Sequence, residues 1–363
     1  MTRSNRTPTR PLRQKTSQAS GLKPKKLIKS SGYAPISSLP PEDGAALSVQ
    51  QRVIDAEDAG QRLDNYLLRH LKGVPKSRIY KIVRSGEVRI NKGRCQPDQR
   101  LNEGDVLRLP PVRCQAFSEE KPPVAPIVDL PILYEDEALI ALNKPCGIAV
   151  HGGSGLAWGL IEALRAQRPE ARFLELAHRL DRETSGVLLV AKKRAALIGL
   201  HDMFREQKGD KRYLALVPGI WADKSVQVTL PLYKYLTPEG ERRVRIAKGR
   251  DLQNPETRPA ETHFRLKKQY PGYALVEAKL KTGRTHQIRV HLAALGYPIV
   301  GDDKHGDLAL NKSLAANKSL ERMFLHAATM RCKHPLTGEP LNVEAPLPPE
   351  LEGFLAVIER QKT

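Results

Sequence analysis

The clearest pattern of apolar positions in this 363-residue chain flanks a short polar stretch, residues 178–186. Residues 173–177 alternate apolar with polar or small side chains, which predicts a strand, and the apolar run at 187–191 is typical of a buried strand. The nonamer between them, HRLDRETSG, is too polar for a core and too short for a helix. We therefore predict a loop held between two strands, a common location for functional residues.

Two helical patterns and several short strands come before this region. The first helix begins near residue 62 and places leucines four residues apart, at Leu63, Leu67 and Leu71. The second is predicted at 77–85, with Ser77 as N-cap and Gly86 as the stop. One side of it is apolar, and the other side carries cations at three-residue spacing, Arg78, Lys81 and Arg84. Strands at 88–90 and 106–109 follow, separated by turns.

Beyond residue 128 the periodic segments continue in an alternation of strands and helices. Strands are predicted at 139–142, 148–150, 211–217 and 273–280, the first two forming a hairpin, and helices at 195–207 and 286–295. In the last helix, Arg289 lies near the apolar face, where an unpaired charge is costly. It requires a carboxylate, and Asp181 is the candidate.

Composition divides the chain into four parts. Residues 1–48 are basic and poor in apolar side chains, which predicts a disordered tail. Residues 51–110 form a small module, 111–127 a Pro-rich linker, and 128–357 the large domain. Within the large domain, 238–261 is predicted to be a long loop or hairpin, and 304–322 an insert.

Charge and cysteine usage narrow the class of protein. Sixty Lys and Arg residues against 40 Asp and Glu residues give a net charge of +20 and a pI near 9.8, which indicates a nucleic-acid or other anionic partner. No apolar run approaches the roughly 18 residues of a membrane span. The four cysteines are scattered without metal-ligand spacing, so we expect ordinary thiols, no metal site and a cytoplasmic location.

The chemistry of the nonamer centres on Asp181, which has Arg179 two residues before it and Arg182 directly after it. Neighbouring cations favour the charged form of an acid, which suits a nucleophile or base better than a general acid. The alternative is a structural Asp–Arg cluster that closes the turn.

The string HRLDRETSG resembles the signature of the pseudouridine synthases, which isomerise uridines in ribosomal and transfer RNA. Two further strings extend the resemblance: KRYLALV, and GRTHQIRVHLAALGYPIVGD, which is similar to the family's third motif. The resemblance implies that Asp181 is the catalytic residue, that Tyr213 is the active-site tyrosine and that Arg289 pairs with Asp181. It also implies that Arg179 fills the place that the flipped base vacates, with Arg182 and Arg284 as further RNA-binding residues.

The small module has a resemblance of its own. The order RLDNYL, SRIYKIVRSGEVRINKGR and EGDVLRL is similar to the S4-like RNA-binding module of a ribosomal small-subunit protein and of tyrosyl-tRNA synthetases. By that resemblance, Arg78, Lys81 and Arg84 contact RNA phosphates, which positions a substrate without reading its sequence.

These observations predict an α+β pseudouridine synthase fold with a mixed, largely antiparallel sheet, preceded by an α+β S4-like module. The resemblance is greatest to the type-C enzymes, which implies specific uridines of 23S rRNA, free or in an assembling large-subunit particle, a monomer and no cofactor. The alternatives are action on other rRNA or tRNA uridines, a non-catalytic RNA-binding ribosome-assembly factor, and an RNA hydrolase, for which a second carboxylate and metal ligands are missing.

Overall fold

The computed structural model describes residues 49–361 apart from positions 57, 72–73, 113–125, 154–155, 239 and 318–319. The predicted tail at 1–48 and most of the predicted linker at 111–127 therefore lie outside the described residues. The described elements belong to one compact unit, Ser48–Thr363. None of their helices is both long and apolar enough to cross a bilayer.

The first part of this unit is a small α+β module. Its elements are β1 (Gln50–Val53), α1 (Leu63–His70), α2 (Lys76–Arg84), β2 (Arg89–Ile90), β3 (Gly93–Arg94) and β4 (Val106–Leu109). The strands pair antiparallel in the order β1-β4-β2-β3. Apolar residues of both helices and of the sheet form one core, so the module has a core of its own.

Helix α2 begins one residue earlier than predicted and with a different cap. Ser77 was the predicted N-cap, but Pro75 holds that position, and its carbonyl accepts hydrogen bonds from the amides of Arg78 and Ile79. A proline suits this place because its φ is already close to the helical value and the first helical N–H groups have no intrahelical partner. The predicted cations Arg78, Lys81 and Arg84 are all exposed.

The large domain is built on a ten-stranded sheet. Its strands are β5 (Ile132–Glu135), β6 (Leu139–Lys144), β7 (Glu175–Leu176), β8 (Ser185–Ala191), β9 (Asp210–Pro218), β10 (Ser225–Val228), β13 (Thr262–Tyr270), β14 (Tyr273–Leu280), β15 (Leu325–Lys333) and β16 (Pro340–Glu344). A separate hairpin consists of β11 (Leu232–Leu236) and β12 (Arg242–Ile246). The helices are α3 (Leu160–Gln167), α4 (Arg194–Arg205), α5 (Gln287–Ala294), α6 (Leu308–Ala316) and α7 (Pro349–Arg360), with a 3-10 helix at Gly249–Gln253.

The sheet order is β10-β13-β14-β9-β15-β8-β6-β5, with β16 paired to β15 and β7 paired to β8. Strands β8 and β15 run parallel, whereas the other pairings among the described strands are antiparallel. The predicted α+β class with a mixed, largely antiparallel sheet is thus confirmed.

Three predicted elements differ from the structure. The strand expected at 148–150 does not form, because the carbonyls of Ala149 and Val150 accept the first amides of α3 instead of a strand partner. The strand expected at 173–177 is shorter, and only Glu175–Leu176 pairs with β8. The predicted insert at 304–322 contains helix α6, which is capped by the Asp307 carboxylate.

Strand β8 fixes the position of the nonamer that precedes it. All seven of its residues are buried, and it pairs with β6, β7 and β15. Gly186 has a φ of 109°, and a Cβ at this position would lie 2.2 Å from the carbonyl oxygen of Ala327 on β15. Only glycine permits this approach, which brings the end of the loop against the central strands.

Candidate active site

The nonamer is a loop closed by its own backbone and fastened at both ends. The amide of Thr184 donates to the carbonyl of Asp181 at 3.1 Å, which makes the turn that carries the carboxylate. At the first end, Nε2 of His178 accepts a hydrogen bond from the Leu189 amide. Burial lowers the pKa of His178 to about 3, so the ring is neutral at pH 7 and able to accept that bond.

Lys144 fastens the loop to its neighbour. Its side chain is fully buried, and Nζ donates to the backbone carbonyls of Pro145, Ile148 and Arg182 at 2.8, 2.8 and 3.0 Å. The amide of Gly147 also donates to the Arg182 carbonyl. Burial lowers the pKa of Lys144 to about 8. Residues 143–147 (NKPCG) therefore hold the Asp181 turn in place.

A cavity of about 720 Å³ opens above this loop. Of the residues predicted for the site, it is lined by Arg179, Asp181, Arg182, Tyr213, Arg284 and Arg289. The predicted cations of α2 do not line it. Asp181 is the one carboxylate among the lining residues, which also include six Lys and Arg side chains. An anionic substrate, such as a nucleic acid, is therefore favoured.

Arg289 is buried, and its closest carboxylate differs from the expected one. Its Nε and Nη2 donate to the two carboxylate oxygens of Asp302 at 2.7 and 2.6 Å, and Nη2 also reaches Asp303 at 3.2 Å. Asp181 lies on the other side, with Oδ2 3.6 Å from Nη1. The predicted pair with Asp181 is thus present as the looser contact. Asp302, which sequence reasoning missed, supplies the buried partner.

Arg289 helps to keep the carboxyl group of Asp302 ionised. Its burial by itself would raise the pKa, but the hydrogen bonds from Arg289 and from the amides of Lys304 and His305 outweigh that effect and hold the pKa below its usual value. A buried bidentate pair of this kind keeps a guanidinium in one orientation. Nη1 is left to face Asp181.

Sequence reasoning also missed two histidines: His286, which lies beside Asp181, and His305, which contacts His286. Nε2 of His286 lies 3.9 Å from Oδ2 of Asp181, and Nδ1 of His286 is 2.9 Å from Nε2 of His305. His286 directly precedes α5 with a left-handed φ of 53°, a strained conformation for a residue other than glycine. Burial lowers the pKa of both rings, that of His305 to about 4.

Tyr213 lies on β9, between β14 and β15, and is 7% exposed. Burial and the Asp181 charge both raise the pKa of its phenol, so the ring is neutral at physiological pH. A neutral aromatic ring in the wall of a cavity suits stacking on a base.

The remaining predicted arginines lie at the rim of the cavity. Arg179 is exposed and forms no ion pair with any residue in the described part of the chain. Arg182 pairs with Glu183 at 2.7 Å, and Arg284 donates to the carbonyl of Pro259 at 3.1 Å. The rim thus presents cations toward solvent around a single carboxylate.

Comparisons with known proteins show the family. The family model for RNA pseudouridylate synthase matches residues 138–294, and the S4 domain model matches residues 61–107. The chain is 49% identical over 322 residues to ribosomal large subunit pseudouridine synthase C of Pasteurella multocida (strain Pm70), covering 87% of this chain and 96% of that relative. The corresponding protein of Escherichia coli (strain K12) is 51% identical over 306 residues, covering 83% and 93%.

Solved structures extend the comparison to more distant proteins. Human RNA pseudouridylate synthase domain containing 1 aligns with a TM-score of 0.52 at 28% identity, covering 63% of this chain and 89% of that one. Human RNA pseudouridylate synthase domain containing 4 aligns with a TM-score of 0.50 at 26% identity, covering 62% and 92%. The chain belongs to the RNA pseudouridylate synthase family and is an isomerase.

Proposed function

We infer that this enzyme converts specific uridines of large-subunit (23S) rRNA to pseudouridine. The observation that carries the inference is Asp181, the one carboxylate lining a cavity of otherwise cationic character. The relatives that cover most of the chain are named as ribosomal large subunit pseudouridine synthases, which supports this substrate. Such a substrate is met in the cytoplasm.

The reaction breaks the bond between N1 of the base and C1′ of the ribose, turns the base, and rejoins it through C5. The C5 proton is lost and N1 gains one, so the product is an isomer. A base stacked inside RNA cannot reach a carboxylate that lines a cavity, so the uridine is flipped out. Arg179, which is exposed and has no ion pair in the described residues, fills the gap in the RNA.

Asp181 acts on the ribose, either by attack at C1′ or by removal of a ribose proton. Arg289 holds the carboxylate in position through Nη1, 3.6 Å from Oδ2, while its other nitrogens remain bonded to Asp302. Tyr213 stacks on the base. Arg182 and Arg284 contact the RNA around the flipped nucleotide, and the exposed cations of α2 bind phosphates away from the cavity.

We also propose that the monomer is the active unit, because Asp181, Tyr213 and Arg289 of a single chain already meet at one cavity. Residues 51–110 serve as the RNA-binding module and 128–357 as the catalytic domain, with the linker between them. Sedimentation at assay concentrations tests the first point: an enzyme that is active only as a dimer contradicts it.

The test of function is a map of pseudouridines across all cellular RNA in a strain without this gene. The map is repeated after complementation with the wild type and with Asp181→Asn. We expect pseudouridines to disappear from large-subunit rRNA and to return only with the wild type. Loss confined to tRNA or to small-subunit rRNA would refute the proposed substrate.

A further inference from the structure

Lys211 is a cation of the cavity to which the proposed function assigns no role. It precedes Tyr213 by two residues on β9, so both side chains project from the same face of the sheet, and both line the cavity. Its Nζ lies 4.6 Å from the centre of the Phe204 ring on α4. A Cβ at Gly283 would be 3.5 Å from Nζ, which places the ammonium between α4 and the loop before α5.

Lys211 has no carboxylate partner in the described part of the chain. Among the described residues, none forms an ion pair with it, and burial lowers its pKa. The acidic neighbour in the chain, Asp210, projects to the opposite face, where it binds Arg212 at 2.8 Å and Lys279 at 3.1 Å. An unpaired and largely buried cation is costly, and its presence in a cleft indicates a functional group.

Each of the other cations that line the cavity is bonded to another group of the protein or is exposed to solvent. Three have carboxylate partners: Arg182 with Glu183, Arg205 with Asp202, and Arg289 with Asp302. Arg284 is bonded to a backbone carbonyl, and Arg179 is exposed. Lys211 is therefore the cation of the cavity that is both withdrawn from water and free to bind a new negative charge.

The proposed reaction creates such a charge. When the N1–C1′ bond breaks, its electron pair leaves with the base, and the uracil ring carries a negative charge spread over N1, O2 and O4. We propose, resting on the proposed function, that Lys211 is a catalytic residue that stabilises this uracil anion through a hydrogen bond from Nζ to a carbonyl oxygen of the base. A fixed cation in a site of low dielectric stabilises such a charge better than water does.

The step balances without a further reactant. Asp181 supplies the electron pair that satisfies C1′, or takes a ribose proton, while the base departs as an anion. Lys211 keeps its proton and contributes only the hydrogen bond. The anion then attacks C1′ through C5, Asp181 is regenerated, and the proton lost from C5 is balanced by the proton that N1 gains.

The test compares Lys211→Met with the matched variant Lys279→Met, which removes a cation from the opposite face of the same sheet. The substrate is a 23S rRNA transcript containing either uridine or 5-fluorouridine, whose fluorine stabilises the uracil anion. At saturating RNA, we expect Lys211→Met to lower the single-turnover rate on uridine by about 100- to 1000-fold, as for removal of one oxyanion donor. RNA affinity and the melting temperature should remain near wild type, and so should the rate of Lys279→Met.

Comparing uracil with 5-fluorouracil as the leaving group distinguishes charge stabilisation by Lys211 from other roles of this residue. The defect of Lys211→Met should be clearly smaller on the 5-fluorouridine transcript, scored as loss of the N1-linked nucleoside. An equal defect on both transcripts overturns the proposal, and so does a loss of RNA affinity with an unchanged rate at saturation, which is the result for a phosphate contact.

A failure of the proposed function can be distinguished from a failure of the proposal for Lys211. Whether the wild type modifies the 23S transcript tests the substrate, and only the ratio of variant to wild-type rates tests Lys211. If the cellular map points to another RNA, that RNA takes the place of the transcript and the same ratio is measured.

Discussion

Arg289 is held by Asp302, with which it forms two hydrogen bonds of 2.7 and 2.6 Å in a site where neither side chain is more than 3% exposed. Asp181 meets the same guanidinium across 3.6 Å. The arginine therefore has a structural partner and a proposed functional partner, on different nitrogens. Substitutions can separate the structural role of Arg289 from its proposed functional role.

Arg289→Met should cost about 3–5 kcal/mol of unfolding free energy, because Asp302 is left as a buried carboxylate without its partner. Activity should be lost as well. The double variant Arg289→Met with Asp302→Leu removes both charges and should recover much of the stability, but none of the activity, because Asp181 still lacks Arg289. Urea denaturation and single-turnover assays on the same preparations measure the two quantities. An active double variant would contradict the proposed role of Arg289.

Asp181→Asn should abolish pseudouridine formation and leave RNA affinity near wild type. The substitution keeps the shape of the side chain, and affinity comes mainly from contacts to phosphates that one acid does not make. Because Asp181 is 29% exposed and bound only across 3.6 Å or more, the melting temperature should change little. A loss of activity that follows a loss of folded protein would instead support a structural Asp in a turn.

Replacing Arg78, Lys81 and Arg84 of α2 by Gln should weaken RNA binding and flatten its dependence on salt. Each phosphate contact that is lost should lower the slope of log affinity against log salt by about 0.7–0.9. The single-turnover rate at saturating RNA should not change, because these cations do not line the cavity. Lys268→Gln, on β13 and paired with Glu359, is the surface control. A slope equal to that of the wild type would show that α2 does not touch the backbone.

Stability should fall as the pH drops from about 6.5 to 4. Burial lowers the pKa of His178 to about 3 and those of His305 and His326 to about 4, so in this window the unfolded chain binds more protons than the folded one. Each such histidine adds a slope of up to about 1.4 kcal/mol per pH unit. Depressed carboxyl groups such as Asp302 act in the same direction below pH 4.

The check is urea denaturation at pH 7.5, 6 and 5 with the wild type and with His326→Gln. Glutamine does not titrate in this range and retains a donor and an acceptor. The slope of the unfolding free energy against pH should therefore be smaller in the variant, by the contribution of up to one proton. A stability that does not change between pH 7.5 and 5 would rule out neutral buried histidines.

The parts of the site that follow from local pattern could be predicted. The loop at 178–186 was evident because two apolar segments bound it, and alternation indicated the strand that carries Tyr213, although the resemblance was needed to assign that residue to the site. The helix carrying Arg289 was evident from its apolar spacing. These signals depend only on neighbours in the chain, which a sequence displays directly.

The parts that depend on distant contacts could not be predicted. Asp302 ends the string GRTHQIRVHLAALGYPIVGD, but it lies in a loop with no periodicity, so the local pattern does not indicate that it approaches Arg289. His286 has a left-handed φ, a conformation that glycine or asparagine usually adopts, so the residue type does not indicate it. Residues 148–150 have the composition of a strand, but the start of α3 and Lys144 take their carbonyls. In each case tertiary structure outweighs local propensity.

Because Lys144 is buried, the rate at which its amine is acylated can report how often the site opens locally. Amine-directed acylation requires an exposed, neutral amine, and Lys144 is shielded and bonded to three carbonyls from two adjoining segments. Acylation at this position, followed by peptide mass spectrometry, therefore measures how often the two segments separate, independently of global unfolding. Bound RNA that holds the Asp181 turn in place should slow the labelling of Lys144 and leave that of exposed lysines on the far edge of the sheet, such as Lys268, unchanged.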